Sequence, residues 1–240
     1  MIFETAVSLL YPRVCPGCGI ILKKGQYICR FCYEELDFPD GRRCGKCSRP
    51  LKYDEEVLCA DCMKENRFFD EGIALLMHSG EGKKIIYDLK FSNRRDNADF
   101  LAYEAANRYH DLFCFWQPEV MIPVPLHKRK EKERGFNQAR LLADRTSFFL
   151  NEKGLGIPVD PYYLTRSIHT KPMKTLDRIE RSENLKGAFS IKLSQKPHSP
   201  YKRILLVDDI YTTGSTLSEC AKVLKAAGAD RVYFLTFSIG

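Results

Sequence analysis

Beyond residue 70 the apolar positions of this chain follow two alternating rhythms. Ile73 to His78 is a short continuous apolar run and predicts a strand, and Lys83 to Lys90 predicts a short helix. Ala98, Leu101, Ala102, Ala105, Tyr109 and Leu112 recur at helical spacing and predict a single helix from Ala98 to Phe113. Glu119 to Val124 reads as a buried strand ending in Pro123 and Pro125, and Asn137 to Leu150 as a helix. Arg203 to Val207 suits the centre of a parallel sheet. Leu217, Ala221 and Leu224 mark one face of a helix from Leu217 to Ala227, which Gly228 stops. Arg231 to Phe237 is the last predicted strand. Strands alternating with helices imply an α/β domain with a mostly parallel sheet, which binds ligands beyond the carboxyl ends of its strands.

Before residue 70 neither rhythm holds, and cysteine takes over. Eight of the ten cysteines form four CxxC pairs: Cys15/Cys18, Cys29/Cys32, Cys44/Cys47 and Cys59/Cys62. A CxxC turn aims two thiolates at one point, and two turns supply the tetrahedral sulfur cage that zinc prefers. CPGCG…ICRFC is followed by CGKCS…LCADC, with 29 residues from Cys15 to Cys44 and 30 from Cys29 to Cys59. This internal repeat predicts two consecutive zinc ribbons, each with its own structural metal; a cross-braced pairing of first with third and second with fourth stays open. Redox dithiols or an iron–sulfur cluster fit the even spacing less well. Cys114 and Cys220 fall on apolar helical faces and are expected in the core.

The 240 residues suffice for a module of residues 1–70 and a domain of residues 71–240. With 44% hydrophobic and 29% charged residues the balance is that of a soluble globular chain. No apolar run approaches the ~20 residues of a membrane helix, and Met1 to Tyr11 does not read as a signal peptide. The cytoplasm is the expected compartment, where dense cysteines bind metal rather than pair. A net charge of +7 is compatible with a polyanionic partner and does not require one.

The sharpest signal is ILLVDDIYTTGSTL, Ile204 to Leu217. A buried strand delivers Asp208 and Asp209 to the sheet edge, and the loop Thr212, Thr213, Gly214, Ser215 and Thr216 opens a helix. Gly214 lets the backbone approach closely, while free amides and hydroxyls can cradle a phosphate. The carboxylates are placed to accept hydrogen bonds from the vicinal hydroxyls of an attached ribose. The bland alternative, a strand–turn–helix with an acidic cap, leaves two adjacent carboxylates without a ligand or cation to offset their repulsion.

This segment resembles the signature of type I phosphoribosyltransferases. The resemblance implies that the loop holds the 5′-phosphate of phosphoribosyl pyrophosphate (PRPP), the aspartates its ribose hydroxyls, and magnesium its pyrophosphate. A transferase would make Asp208 and Asp209 its catalytic pair. Met121 to Pro125, followed by RGFNQA, is similar to the proline-bearing strand of amidophosphoribosyltransferases, which puts Leu126, His127 and Lys128 at the pyrophosphate loop and Arg134 within its reach. Lys128 to Arg140 holds six basic and two acidic residues, and a solvated charged loop and helix start is the plain alternative. Thr165 to Phe189 shows no clear core strand and fills the place of a closing flexible loop, with Arg178, Arg181 and Asn184 as candidate contacts.

Together with the cysteine module, Leu89-Lys90-Phe91, IPVPLHKRKEKERGFNQA, RIERSENLKGAF and LLVDDIYTTGSTL resemble the competence protein F family over essentially the whole chain. Met173 departs from it, since Gln is commoner there. The resemblance implies a role in natural transformation, handling single-stranded DNA with a ComFA-type helicase-like ATPase. Two readings remain open. One is a PRPP-dependent transferase of unknown acceptor: Thr212 stands where hypoxanthine-type enzymes carry a carboxylate base, and no residues follow Gly240 to form a hood. The other is a DNA or protein adaptor using PRPP as a regulatory ligand, with Tyr27, Phe31, Tyr33 and Phe136 available to bases.

Overall fold

The computed structural model describes residues 12–53, 55–166, 185, 187–192 and 200–240. Arg178, Arg181, Asn184, Met173 and the first eleven residues lie outside them. In chain order the elements are α1 (Arg30–Glu34), α2 (Ala60–Lys64), β1 (Glu71–Met77), α3 (Gly80–Phe91), α4 (Asn97–Arg108), α5 (His110–Trp116), β2 (Val120–Pro123), α6 (Lys128–Arg134), α7 (Gln138–Glu152), β3 (Leu164–Arg166), β4 (Phe189–Ile191), β5 (Arg203–Tyr211), α8 (Ser215–Ala226) and β6 (Arg231–Ile239).

β1, β6, β5 and β2 pair in that order as a four-stranded parallel sheet. Side chains alternate between its faces, as a strand requires. Ile73, Leu75, Met121, Leu205, Val207, Leu235 and Phe237 meet α3, α4 and α7 on one face. Ala74, Ile122, Ile204, Leu206, Val232 and Phe234 meet α8 on the other, beside the cysteines of the second ribbon. β3 and β4 form a separate antiparallel pair, Leu164 opposite Ile191. No helix among the described residues is long and apolar enough to cross a membrane.

The two ribbons use one local device. Isolated antiparallel bridges join Val14 to Ile21 and Arg43 to Pro50 across the two opening CxxC turns, and Cys29 and Cys59 each cap a short helix that carries the closing cysteine. The first ribbon lies against α3, α4 and α7: Lys84 donates to the Gly17 carbonyl at 2.6 Å, and Tyr27 stacks on Tyr103 at 4.3 Å.

Five expectations change. The helix predicted from Ala98 to Phe113 is two helices, because Tyr109 leaves helical geometry (φ −115°, ψ 13°) and its hydroxyl donates to the Ala74 carbonyl of β1 at 2.7 Å. Its continuation turns Cys114 to solvent, so Cys114 is not a core residue, whereas Cys220 is fully buried. β5 runs past Val207 to Tyr211 because β6 continues alongside it, pairing Tyr211 with Ile239. The basic stretch opens as a helix: His127 Nδ1 accepts the Arg129 N–H, Arg129 pairs with Glu133 one turn on, and Gly135 closes it at φ 80°. Finally, β3 and β4 bring the two ends of the Thr165 to Phe189 stretch side by side, with Thr165 paired to Ser190 and Arg166 to Phe189.

Candidate anion site and metal centres

The site is built where β2 stops. β2 pairs with β5 as far as Pro123 and Val207, after which only β6 accompanies β5. Asp208 and Asp209 therefore emerge at a half-open edge of the sheet. Asp209 is ion-paired to Lys90 of α3, Oδ1 to Nζ at 2.9 Å, and both side chains are largely buried. Asp208 Oδ1 accepts the Asp209 N–H at 2.9 Å. Burial, and then the neighbouring Asp209 charge, push the Asp208 carboxyl up to about 7. Lys90 and Arg166 offset this charge only in part.

The chain then turns through Tyr211 to Gly214 into α8. Gly214 has φ 74°, and a Cβ there would lie 2.4 Å from the Tyr211 hydroxyl, so only glycine fits the turn. Asp208, Tyr211 and residues 212–217 line a small hollow over the start of α8. Thr213 and Ser215 hydroxyls lie 3.0 Å apart at its wall. The first-turn amides of an α-helix have no partner within the helix and carry its positive dipole end, so this hollow can hold an anion.

On the β2 side the cations are sorted by the structure. Arg134 Nη1 donates to Gln138 Oε1 at 2.6 Å. Lys128 is exposed, and His127 caps its own helix. Lys130 was not singled out from the basic run. Burial, then Arg166 and Arg134, pull its amine below the usual lysine range. Arg166, likewise not singled out, is pulled down by burial and held up by Cys220 and Asp208. Lys130 thus feels the charges of Arg166 and Arg134, and Arg166 in turn feels that of Asp208. Lys90 stood in the sequence within Leu89-Lys90-Phe91 with no role attached. A lysine on an amphipathic helix carries no signal of a partner 119 residues away.

The cysteines form two consecutive quartets, Cys15/Cys18/Cys29/Cys32 and Cys44/Cys47/Cys59/Cys62, each with its sulfurs within 4.8 Å of one another. The cross-braced pairing is excluded by this grouping. Four thiols so close cannot all ionise. Hydrogen bonds from Cys47 and Cys62 drive Cys44 far below the usual thiol range, while the thiol bond to Cys44 pushes Cys47 up to about 12. In the first quartet burial is overcome by main-chain bonds from Cys18, Cys29 and Gly17, which bring Cys15 down to about 7, while burial drives Cys32 up. A divalent cation replaces those shared protons, and all-sulfur quartets of this size fit zinc with no open position.

The second ribbon is fastened to the anion loop. Arg49, two residues after Cys47, donates to the Thr212 carbonyl at 2.9 Å and the Gly240 carbonyl at 3.0 Å, and pairs with Asp61 at 2.6 Å. The Tyr211 ring stacks on Phe234 at 5.3 Å and meets Phe69 edge-on.

A model of the double zinc ribbon domain matches residues 6–63. Competence protein F of Haemophilus influenzae is 35% identical over 225 residues, 91% of this chain and 92% of its own. The DNA utilization protein YhgH of Escherichia coli K12 is 29% identical over 93% of this chain and 96% of its own. Competence protein ComFC of Bacillus subtilis is 24% identical over 87% and 82%. Among solved structures, a purine phosphoribosyltransferase from Pyrococcus horikoshii shares 17% identity over 60% of this chain and 71% of its own at a TM-score of 0.32, an overlap that decides nothing about the site. With two cysteine quartets ahead of a parallel α/β sheet, and more than a third of residues shared with one relative along nearly the full length of both, this chain belongs to the competence protein F family.

Proposed function

We propose that this protein binds PRPP and handles single-stranded DNA in natural transformation, together with a ComFA-type ATPase. Residues 1–70 are its zinc module and residues 71–240 its sugar-phosphate domain. The observation that carries the reading is the placement of Asp208 and Asp209 at the carboxyl end of β5, directly before a glycine-nucleated, hydroxyl-lined helix start. The names of the relatives, competence and DNA utilization proteins, supply the biological setting. Eight reduced thiols holding two zinc ions suit a cytoplasmic protein.

In this reading the loop from Thr212 to Thr216 holds the 5′-phosphate through α8's first amides and the Thr213 and Ser215 hydroxyls. Asp208 and Asp209 accept hydrogen bonds from the ribose 2′- and 3′-hydroxyls, and Lys90 orients Asp209 through their ion pair. Lys130, Arg134 and Arg166 face the pyrophosphate, with His127 and Lys128 at the turn leading into α6. Magnesium bound with PRPP would neutralise pyrophosphate charge, and two carboxylates beside an open edge suit a hard cation that keeps most of its water. In a transfer step an acceptor lone pair would bond to ribose C1 as the C1–oxygen bond breaks and the electron pair leaves on pyrophosphate. Positioning and charge stabilisation are what these residues can contribute.

The second reading, an adaptor regulated by PRPP, is favoured by Thr212. It is exposed, offers no carboxylate base, and has its carbonyl held by Arg49. One experiment separates the two. PRPP and Mg²⁺ are titrated into zinc-replete protein by calorimetry, and pyrophosphate release is followed with and without single-stranded DNA, in wild type and Asp209→Asn. Binding with DNA-stimulated release that the variant loses supports the transferase. Binding without release supports the adaptor. No magnesium-dependent binding at all overturns the reading.

A further inference from the structure

Side chains from α3, α6, α7 and the loops beside them form a strip in which rings alternate with arginines. Tyr87 and Phe91, one turn apart on α3, lie 4.8 Å apart and are 55% and 53% exposed. The Arg134 guanidinium lies 5.2 Å over the Phe91 ring, that of Arg95 4.4 Å over Phe136, and that of Arg140 5.3 Å over Tyr162, which is 62% exposed. Arg95, Phe136 and Arg140 share one hollow with Asn137 and with the acids Glu131 and Asp144.

We propose that this strip binds single-stranded nucleic acid without regard to sequence. The inference rests on the DNA-handling reading above and adds the surface and the mode of contact. Exposed rings are stacking platforms that any base can use, and a duplex, whose base faces are already stacked, cannot use them. The charge matches a phosphate backbone. Arg95 and Arg134 hydrogen-bond only to the neutral amides of Asn93 and Gln138, and neither is ion-paired with a carboxylate among the described residues. Arg140 is opposed by Asp144 at 3.7 Å, so the strip keeps a net positive charge. A guanidinium lying on a ring is held in a fixed plane and loses less freedom when it meets a phosphate.

The test uses the full, zinc-replete chain and a fluorescein-labelled 20-mer of oligo-dT, with anisotropy followed across a salt series. Tyr87→Ser with Phe91→Ser, and separately Tyr162→Ser, are expected to weaken binding tenfold or more. Arg95→Ser should lower the salt slope by about one ion. Tyr87→Phe should bind as wild type does, and a duplex of equal length should compete at least tenfold less well. Zinc content and far-UV circular dichroism confirm that each variant is folded, and Tyr162→Ser should bind PRPP as wild type does. Wild-type affinity in the folded strip variants overturns the proposal and leaves the DNA reading standing, as does loss of affinity only on Phe31→Ser or Tyr53→Ser in the ribbons. Failure of wild type itself to bind oligo-dT overturns both.

Discussion

Asp208 is a carboxylate held where water reaches it poorly, with Asp209 beside it and Lys90 and Arg166 only partly offsetting the pair. Its folded pKa, raised to about 7, lies above the ordinary 3.8. The folded state therefore binds this proton more tightly than the unfolded chain does. The corresponding stability is complete below about pH 4 and is lost as pH rises through 7. Asp208→Asn removes that dependence. In urea titrations it should match wild type at pH 4 and exceed it at pH 8 by about 1–2 kcal/mol, while losing PRPP affinity, which is the signature of a group kept for a ligand rather than for the fold. Gly214 is constrained by backbone and by space together. Gly214→Ala forces a left-handed alanine against the Tyr211 hydroxyl and should cost about 2–3 kcal/mol in the same titration. Both residues were visible in the sequence, because an acidic pair, a glycine and hydroxyls lie consecutively. Lys90 and Arg166 were not, since their neighbours at the site come from distant segments.

Among the elements, the loop between β5 and α8 is tethered from the second ribbon. Arg49 reaches it from the second ribbon and satisfies the Thr212 and Gly240 carbonyls while Asp61 balances its charge. Charge-assisted bonds of this kind contribute about 1.5–3 kcal/mol each at best, less with partial exposure. Arg49→Met should leave zinc stoichiometry at two and raise the PRPP dissociation constant about tenfold. Lysine in its place should recover only part, because an ammonium cannot span the two carbonyls and Asp61 as a planar fork does. The helical periodicity from Ala98 to Leu112 was real, yet it could not show the break at Tyr109. The Tyr109 hydroxyl is buried and bonded to the Ala74 carbonyl, and periodicity holds no record of that partner.

At the scale of the whole molecule, the two ribbons sit on different parts of the domain. The first touches α3, α4 and α7, while the cysteines of the second share a core with Phe69, Tyr211 and Phe234. Loss of each metal should therefore be felt in different places. In hydrogen exchange, Cys59→Ser should speed the amides of residues 211–217, and Cys29→Ser those of α4 around Tyr103, each at least tenfold. Equal effects at both places would mean that the ribbons unfold as one unit. The chain sequence alone determined the metal ligands, the alternation of strands and helices and the glycine- and hydroxyl-rich loop after Asp209, because each is written in residues close together, where spacing and periodicity act directly. Only the tertiary structure decided which cysteines share a metal, which lysine faces Asp209, and that Arg49 ties the second ribbon to the loop. The last two pairings join segments up to 191 residues apart, and their geometry exists only once the sheet has brought the segments together.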